Sequence, residues 1–244
     1  MATSFPLVVA ASGLALAAVH AAAGRLRFRT IPRSYWLSGA GGVSVAYVFI
    51  HILPELDAGQ AAIEASVLGF LEHHVYLLAL SGFALYYGVE RLAQRSTDDG
   101  EGGERPDLEE SDGVFWVHVG SFAAYNLIIG YLLVHRERPG LDSLLFYAFA
   151  VGLHFLVNDH GLREHHHDAY DRVGRWVLAA AVLTGVGVGL LTSVGEPLVM
   201  SLFAFLAGGI ILNVIKEELP KERRSNFWAF GVGTAGYAAL LLLV

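Results

Sequence analysis

The chain is predicted to be all-α: a polytopic membrane protein of eight transmembrane helices, forming a single domain over residues 1–244 with a 3+2+3 inverted repeat. Three observations predict this. The 244 residues are 55% hydrophobic and only 16% charged, against about 25% charged in ordinary soluble domains. The charges are segregated and leave apolar runs of about 20 residues, the length a helix needs to cross a hydrocarbon core. Two of these runs also carry the same phrase: residues 41–56 read GGVSVAYVFIHILPEL and residues 208–220 read GGIILNVIKEELP. Each has a Gly pair, an apolar stretch and an acidic Leu-Pro ending, and the two spans run in opposite directions.

A backbone in lipid must satisfy its own hydrogen bonds, so the apolar runs are read as helices rather than strands. The first span covers about 5–23. Its small-residue tail, His20 to Gly24, resembles a signal-peptide cleavage region, but a basic leader is missing and four arginines follow directly, so it is read as a helix. The second span, 36–56, carries Gly39, Gly41 and Gly42, small residues that let helix backbones approach closely. The third, 66–90, ends at Glu90 and Arg91. An acidic loop over about 95–113 follows, with Asp98, Asp99, Glu101, Glu104, Asp107, Glu109, Glu110 and Asp112 against Arg105. Its charge and lack of apolar residues read as a disordered linker. The fourth and fifth spans, 114–135 and 142–162, form a central pair between the repeat halves. The sixth, 173–193, carries Gly185, Gly187 and Gly189; the seventh, 197–217, carries Ala207, Gly208 and Gly209; the eighth is 226–244.

Lys and Arg collect on the cytoplasmic side of membranes. With both termini extracellular, the inner segments hold 14 of the 16 basic residues, and Arg136 and Arg138 fall outside. A plasma-membrane location follows as the expectation. The lipid bilayer is then the main partner; no nucleic-acid partner is expected, and a homodimer is allowed. Cysteine is absent, so disulfides are excluded and any metal would be held by nitrogen and oxygen ligands.

AYVFIHILPEL in the second span, SGFALYYGVERL in the third and AGGIILNVIKEELP in the seventh resemble phrases of the ZIP family of zinc and iron transporters. Eight spans, external termini and a long inner loop after the third agree with that family. The resemblance implies transport of divalent metal cations, zinc first, with no enzymatic step and no catalytic cofactor. It also implies a metal site on the central pair. The family's fourth-helix phrase His-Asn-x-x-Asp-Gly matches Tyr125 to Gly130, where Asn126 and Gly130 are kept and Tyr125 and Ile129 replace the His and the acid. The fifth-helix phrase matches His154 to Asp159, where His154 and an acid, Asp159, are kept and Asn158 replaces a His. The implied site is therefore a single one, poor in charge.

His154 and Asn158 are four apart and share a helix face, with Asp159 about 100° further round. These three, with Asn126, are the candidate metal ligands. His51 and Glu55 at i and i+4, with His73, His74 and His135, would form an outer approach; Glu72 lies beside them. Imidazole and carboxylate suit zinc and iron-like ions. The tract His165-His166-His167 would form an exit at the inner mouth. His20 and His118 are read as interfacial, Tyr125 as packing, and Lys216 with Glu217 and Glu218 as a surface pair. Two other functions fit the composition. One is a transport-incompetent metal sensor or membrane scaffold. The other is an intramembrane zinc hydrolase, which would need three converging ligands and lacks an H-E-x-x-H helix.

Overall fold

The computed structural model describes residues 5–22, 33–64, 74–101, 108–136, 140–218 and 226–243. Among the described residues the structure is helical, with no strand. Helix α1 is Pro6–Ala22. Helix α2, Arg33–Tyr47, runs through a π-helical turn, Val48–Ile52, into α3, Leu53–Glu64. Helices α4, His74–Glu101, and α5, Leu108–Val134, follow. Helix α6, Leu141–Ala169, joins α7, Arg175–Leu191, through a second π turn, Tyr170–Gly174. Helix α8, Glu196–Asn213, enters a third π turn, Val214–Glu218, and α9 is Phe227–Leu242.

Among the described residues, four helical stretches are long and apolar enough to cross a membrane: Ser38–Gln60, Gly113–Val134, Leu141–Leu191 and Glu196–Lys216. Helices α1 and α9 are apolar but shorter. Large apolar side chains also face outward on several helices, including Leu14, Leu80, Phe149 and Val232. A soluble protein would bury such a surface; this one is an integral membrane protein. Leu141–Leu191 is not one rod, because His167 has φ 42° and ψ −120° and breaks it into two arms.

Several helix ends have local causes. Gly140 begins α6 at φ 140°, a conformation that side-chain-bearing residues rarely adopt. Pro197 sits in the first turn of α8, where its missing N–H costs nothing. Asn226 caps α9 by accepting from the Ala229 amide at 2.8 Å, and its own amide donates to Ser38 Oγ on α2 at 3.0 Å. The expected acidic linker is shorter than the sequence suggests: α4 continues to Glu101 and α5 begins at Leu108. Extending an existing helix is far easier than starting one, so the apolar spans carry polar flanks with them. Residues 102–107 lie outside the described residues.

Close packing without water requires small residues, and three helix pairs meet through them. A β-carbon added to Gly42 would overlap the Phe230 carbonyl of α9, and one added to Gly208 would overlap the Ala79 carbonyl of α4. Gly130 and Gly185 press in the same way on the α7 and α5 backbones. Helices α1, α5, α6 and α7 thus form one group, and α2, α4, α8 and α9 another. The groups meet mainly where α5 and α6 face α2, α4 and α8.

Candidate functional site

Helix α1 builds one wall of the site. Its buried residues are Val9, Ser12, Gly13, Leu16, Ala17 and His20, a stripe at helical spacing that faces the protein. His20 ends the stripe, fully buried. Its Nδ1 lies 2.8 Å from Asp159 Oδ1 on α6 and its Nε2 lies 2.8 Å from Asn126 Oδ1 on α5. The ring stacks on Phe155 at 4.3 Å. Three helices therefore meet at one imidazole.

The hydrogen bonds fix the roles. Asn126 Nδ2 donates to the Phe122 carbonyl at 2.8 Å, so its oxygen faces His20, and Nε2 must be the donor. Nδ1 faces the carboxylate oxygen Asp159 Oδ1. Tyr170 also donates to Asp159 Oδ1. The break at His167 brings Tyr170 there. Arg163 braces that break, its Nε 2.8 Å from Asp171 Oδ1 and its guanidinium 5.5 Å above the Tyr170 ring. An ionisable group within a membrane is costly unless it is paired, and Asp159 is paired through Oδ1. Its Oδ2 is buried and has no hydrogen-bond partner.

A second buried network lies beside the first. Tyr125 Oη is 2.7 Å and Asn158 Nδ2 is 3.0 Å from His154 Nε2. Tyr125 is fully buried, edge-on to Tyr86 at 5.4 Å. Asn158 Oδ1 is buried without a partner. His154 and Asn158 do share a face and touch, as their spacing predicts. Asp159, about 100° round, is held by α1 instead.

Among the described residues, two clefts lie toward opposite ends of the α5–α6 pair, and the second touches the polar core at Asn158. One is lined by His51, Glu55, Leu132, His135, Arg136, Ser143, Tyr147 and Phe203. His135 Nε2 lies 2.9 Å from the carbonyl oxygens of both Gly189 and Thr192. Arg136 donates to the carbonyls of Leu133 and Gly140, and burial pushes its guanidinium below its ordinary pKa. The other cleft is lined by Glu90, His118, Phe122, Asn158, Gly161, Leu162, His165 and Asn213. There Glu90 Oε1 pairs with Lys216 Nζ at 2.6 Å and Oε2 lies 3.4 Å from His118 Nε2. His118 Nδ1 is 2.8 Å from His166 Nε2, and His165 Nε2 is 4.0 Å from Glu90. On α5 the clefts reach Leu132 and Phe122, a separation of about 15 Å at 1.5 Å per residue.

The sequence candidates thus fall into several places. Asn126 and Asp159 meet through His20; His154 and Asn158 form the adjacent pair; His51 and Glu55 line one cleft. His74 is buried where α3 meets α4, with Nδ1 3.4 Å from Gln60 Nε2, and it does not line that cleft. His73 and Glu72 lie outside the described residues. His165 and His166 join the cluster around Glu90 and His118, whereas His167 is exposed at the helix break. Lys216, expected at the surface, bonds Glu90. Among the described residues, no three His, Asp or Glu side chains converge to hold a metal ion.

Two residues overturn their sequence reading. His20 and His118, expected at the interface, are 0% and 2% exposed. For His20 a signal was present: it continues the stripe marked by Ser12, Gly13 and Ala17. For His118 the partners Glu90 and His166 are 28 and 48 positions away, and no local pattern announces them. Comparison with protein-family models finds no match, and comparison with curated proteins finds none at the level required.

Proposed function

We propose that the chain is a ZIP-like transmembrane transporter of divalent metal cations, with zinc as the first expected ion. The observation that carries this reading is a pair of clefts rich in imidazole and carboxylate toward opposite ends of one helix pair, with a buried polar core that one of them touches at Asn158. A cation would enter past His51 and Glu55, pause where Asn126, His154, Asn158 and Asp159 gather, and leave past Glu90, His118 and His165. Neutral imidazole and carboxylate are the donor types that bind zinc at about 2.0–2.2 Å. No bond is made or broken, and the metal is cargo.

An eight-span inverted repeat underlies the proposal, with α2–α3, α4, α8 and α9 serving as the second, third, seventh and eighth spans. Packing supports it. Gly42 abuts α9 and Gly208 abuts α4, which are equivalent contacts when the first three spans are exchanged with the last three. Each of the two glycine-bearing helices also enters a π turn, Val48–Ile52 and Val214–Glu218, ending two residues before Pro54 and Pro220. π turns interrupt helices at functional positions, and repeats of this kind rock around a central site. Both termini would be extracellular, at the plasma membrane, with the arginine-rich ends inside.

The test is zinc uptake into vesicles holding the purified protein. Wild type accumulates zinc, and the His154→Ala, Asp159→Ala double variant does not. Unchanged uptake in that variant would remove the proposed site. A second reading, a transport-incompetent metal sensor or scaffold, is favoured by the engagement of Asp159 Oδ1 by His20 and Tyr170. Tight zinc binding without flux would establish it instead.

A further inference from the structure

We propose that the bend at His167 is a strained elbow that holds Tyr170 as a cap on the buried Asp159 carboxylate, and that release of the elbow uncaps it. The capping role rests on the transport reading above and names what controls Asp159; the strain does not depend on that reading. His167 has φ 42° and ψ −120°. Those values lie close to the first central position of a type II′ turn, where glycine predominates. A side-chain-bearing residue held there stores strain, which persists only where the surroundings enforce it and gathers at sites that switch. The His167 side chain is exposed, so the contacts that enforce the bend are made by other residues.

Those contacts converge on Tyr170. In an unbroken helix, residues 159 and 170 would stand about 16 Å apart along the axis. The bend instead lets the Tyr170 hydroxyl donate to Asp159 Oδ1, and the Tyr170 amide donates to the His167 carbonyl. Arg163, before the bend, donates to Asp171 Oδ1 beyond it at 2.8 Å. Arg175 Nη1 reaches the Ala21 carbonyl at the end of α1, 3.3 Å away. Gly174 leaves room for the ring, because a β-carbon there would overlap Tyr170. Tyr170 is fully buried and packs with Phe115, Val119, Phe122, Leu162 and Leu178 in a cluster separate from the main core. Phe122 and Leu162 also line the Glu90 cleft, so Tyr170 belongs to the packing that borders it. One hydroxyl thus joins a strained backbone to the carboxylate that the ion path needs. The π turn Tyr170–Gly174 follows at once, an interruption of the kind found at functional positions.

The elbow is tested by hydrogen–deuterium exchange of the full-length protein in detergent, read over residues 159–174, and the cap by zinc uptake into vesicles. His167→Gly is compared with His167→Ala, since both lack the imidazole and only glycine relieves the strain. The Gly variant should exchange about tenfold more slowly than the Ala variant, the fold-change expected for strain of the usual size. Its KM for zinc should be higher by a similar factor, because the uncapped state is rarer. Tyr170→Phe keeps the ring and loses the hydroxyl, so it should exchange about tenfold faster than wild type and show a lower KM. If Tyr170→Phe fails to fold, the His167 pair carries the test, since it leaves every buried side chain in place. Equal exchange in the Gly and Ala variants overturns the strained elbow, and wild-type exchange in folded Tyr170→Phe overturns the cap. Exchange that moves as expected while KM stays fixed, in a protein that takes up zinc, overturns the uncapping. A wild type that moves no zinc overturns the transport reading, while the exchange result still decides the elbow.

Discussion

At the scale of single residues, burial decides what a polar side chain does. His20 has two hydrogen bonds and a stacked ring, so its loss leaves Asp159 Oδ1 with Tyr170 alone and the Asn126 oxygen without its partner. Leaving a buried polar group unsatisfied costs about 1–3 kcal/mol. His20→Ala should therefore destabilise the protein by about that much or more, read as a lower midpoint of unfolding in detergent. A midpoint equal to wild type would show that the pair contributes nothing to the fold. The sequence displayed Asn126, His154, Asn158 and Asp159 because polar residues stand out in apolar spans. It also displayed His20, through the spacing of Ser12, Gly13 and Ala17, but a lone histidine at a span end invites an interfacial reading. Glu90, His118 and Lys216 come together from three helices, and contacts of that range leave no local signature.

At the scale of helices, glycines set the distances. Gly42 and Gly208 each lie against a neighbouring carbonyl, whereas Gly231 has no neighbouring atom where a β-carbon would stand. Gly208→Ala should force α8 from α4 and cost about 1–3 kcal/mol, as overpacking does, and Gly42→Ala should do likewise against α9. Gly231→Ala should change stability by less than about 1 kcal/mol, being a gain in helix propensity. Melting curves of the three variants check this, and equal effects would refute the packing account. Helix existence was legible from hydropathy: the described part of each apolar run is helical. Boundaries were less so: α4 overruns its expected end at residue 90 and reaches Glu101. The kink at His167 was not legible, because nothing in a His-rich tract foretells a positive φ.

At the scale of the molecule, the two helix groups are tied across one cleft by Glu90, which faces Lys216 on its own group and His118 and His165 on the other. Glu90→Gln removes the carboxylate that Lys216, His118 and His165 face. If movement of one group against the other carries the ion, this variant should change the uptake rate severalfold without abolishing binding of Co²⁺. An unchanged rate would place the tie outside the transport cycle. The orientation is open to a clean test, because the chain has no cysteine. Cysteines placed at the exposed positions His167 and Val194 should react with impermeant thiol reagents from opposite sides of intact cells, His167→Cys only from within. Labelling of both from one side would refute the arrangement.

The most direct measurement is the initial rate of zinc uptake into sealed vesicles by wild type and by variants at each end of the path, Glu55→Ala and Glu90→Ala. The account predicts saturable uptake well above protein-free vesicles, reduced at least tenfold when Glu55 is removed and altered when Glu90 is removed. Wild-type uptake no faster than that of empty vesicles would contradict it.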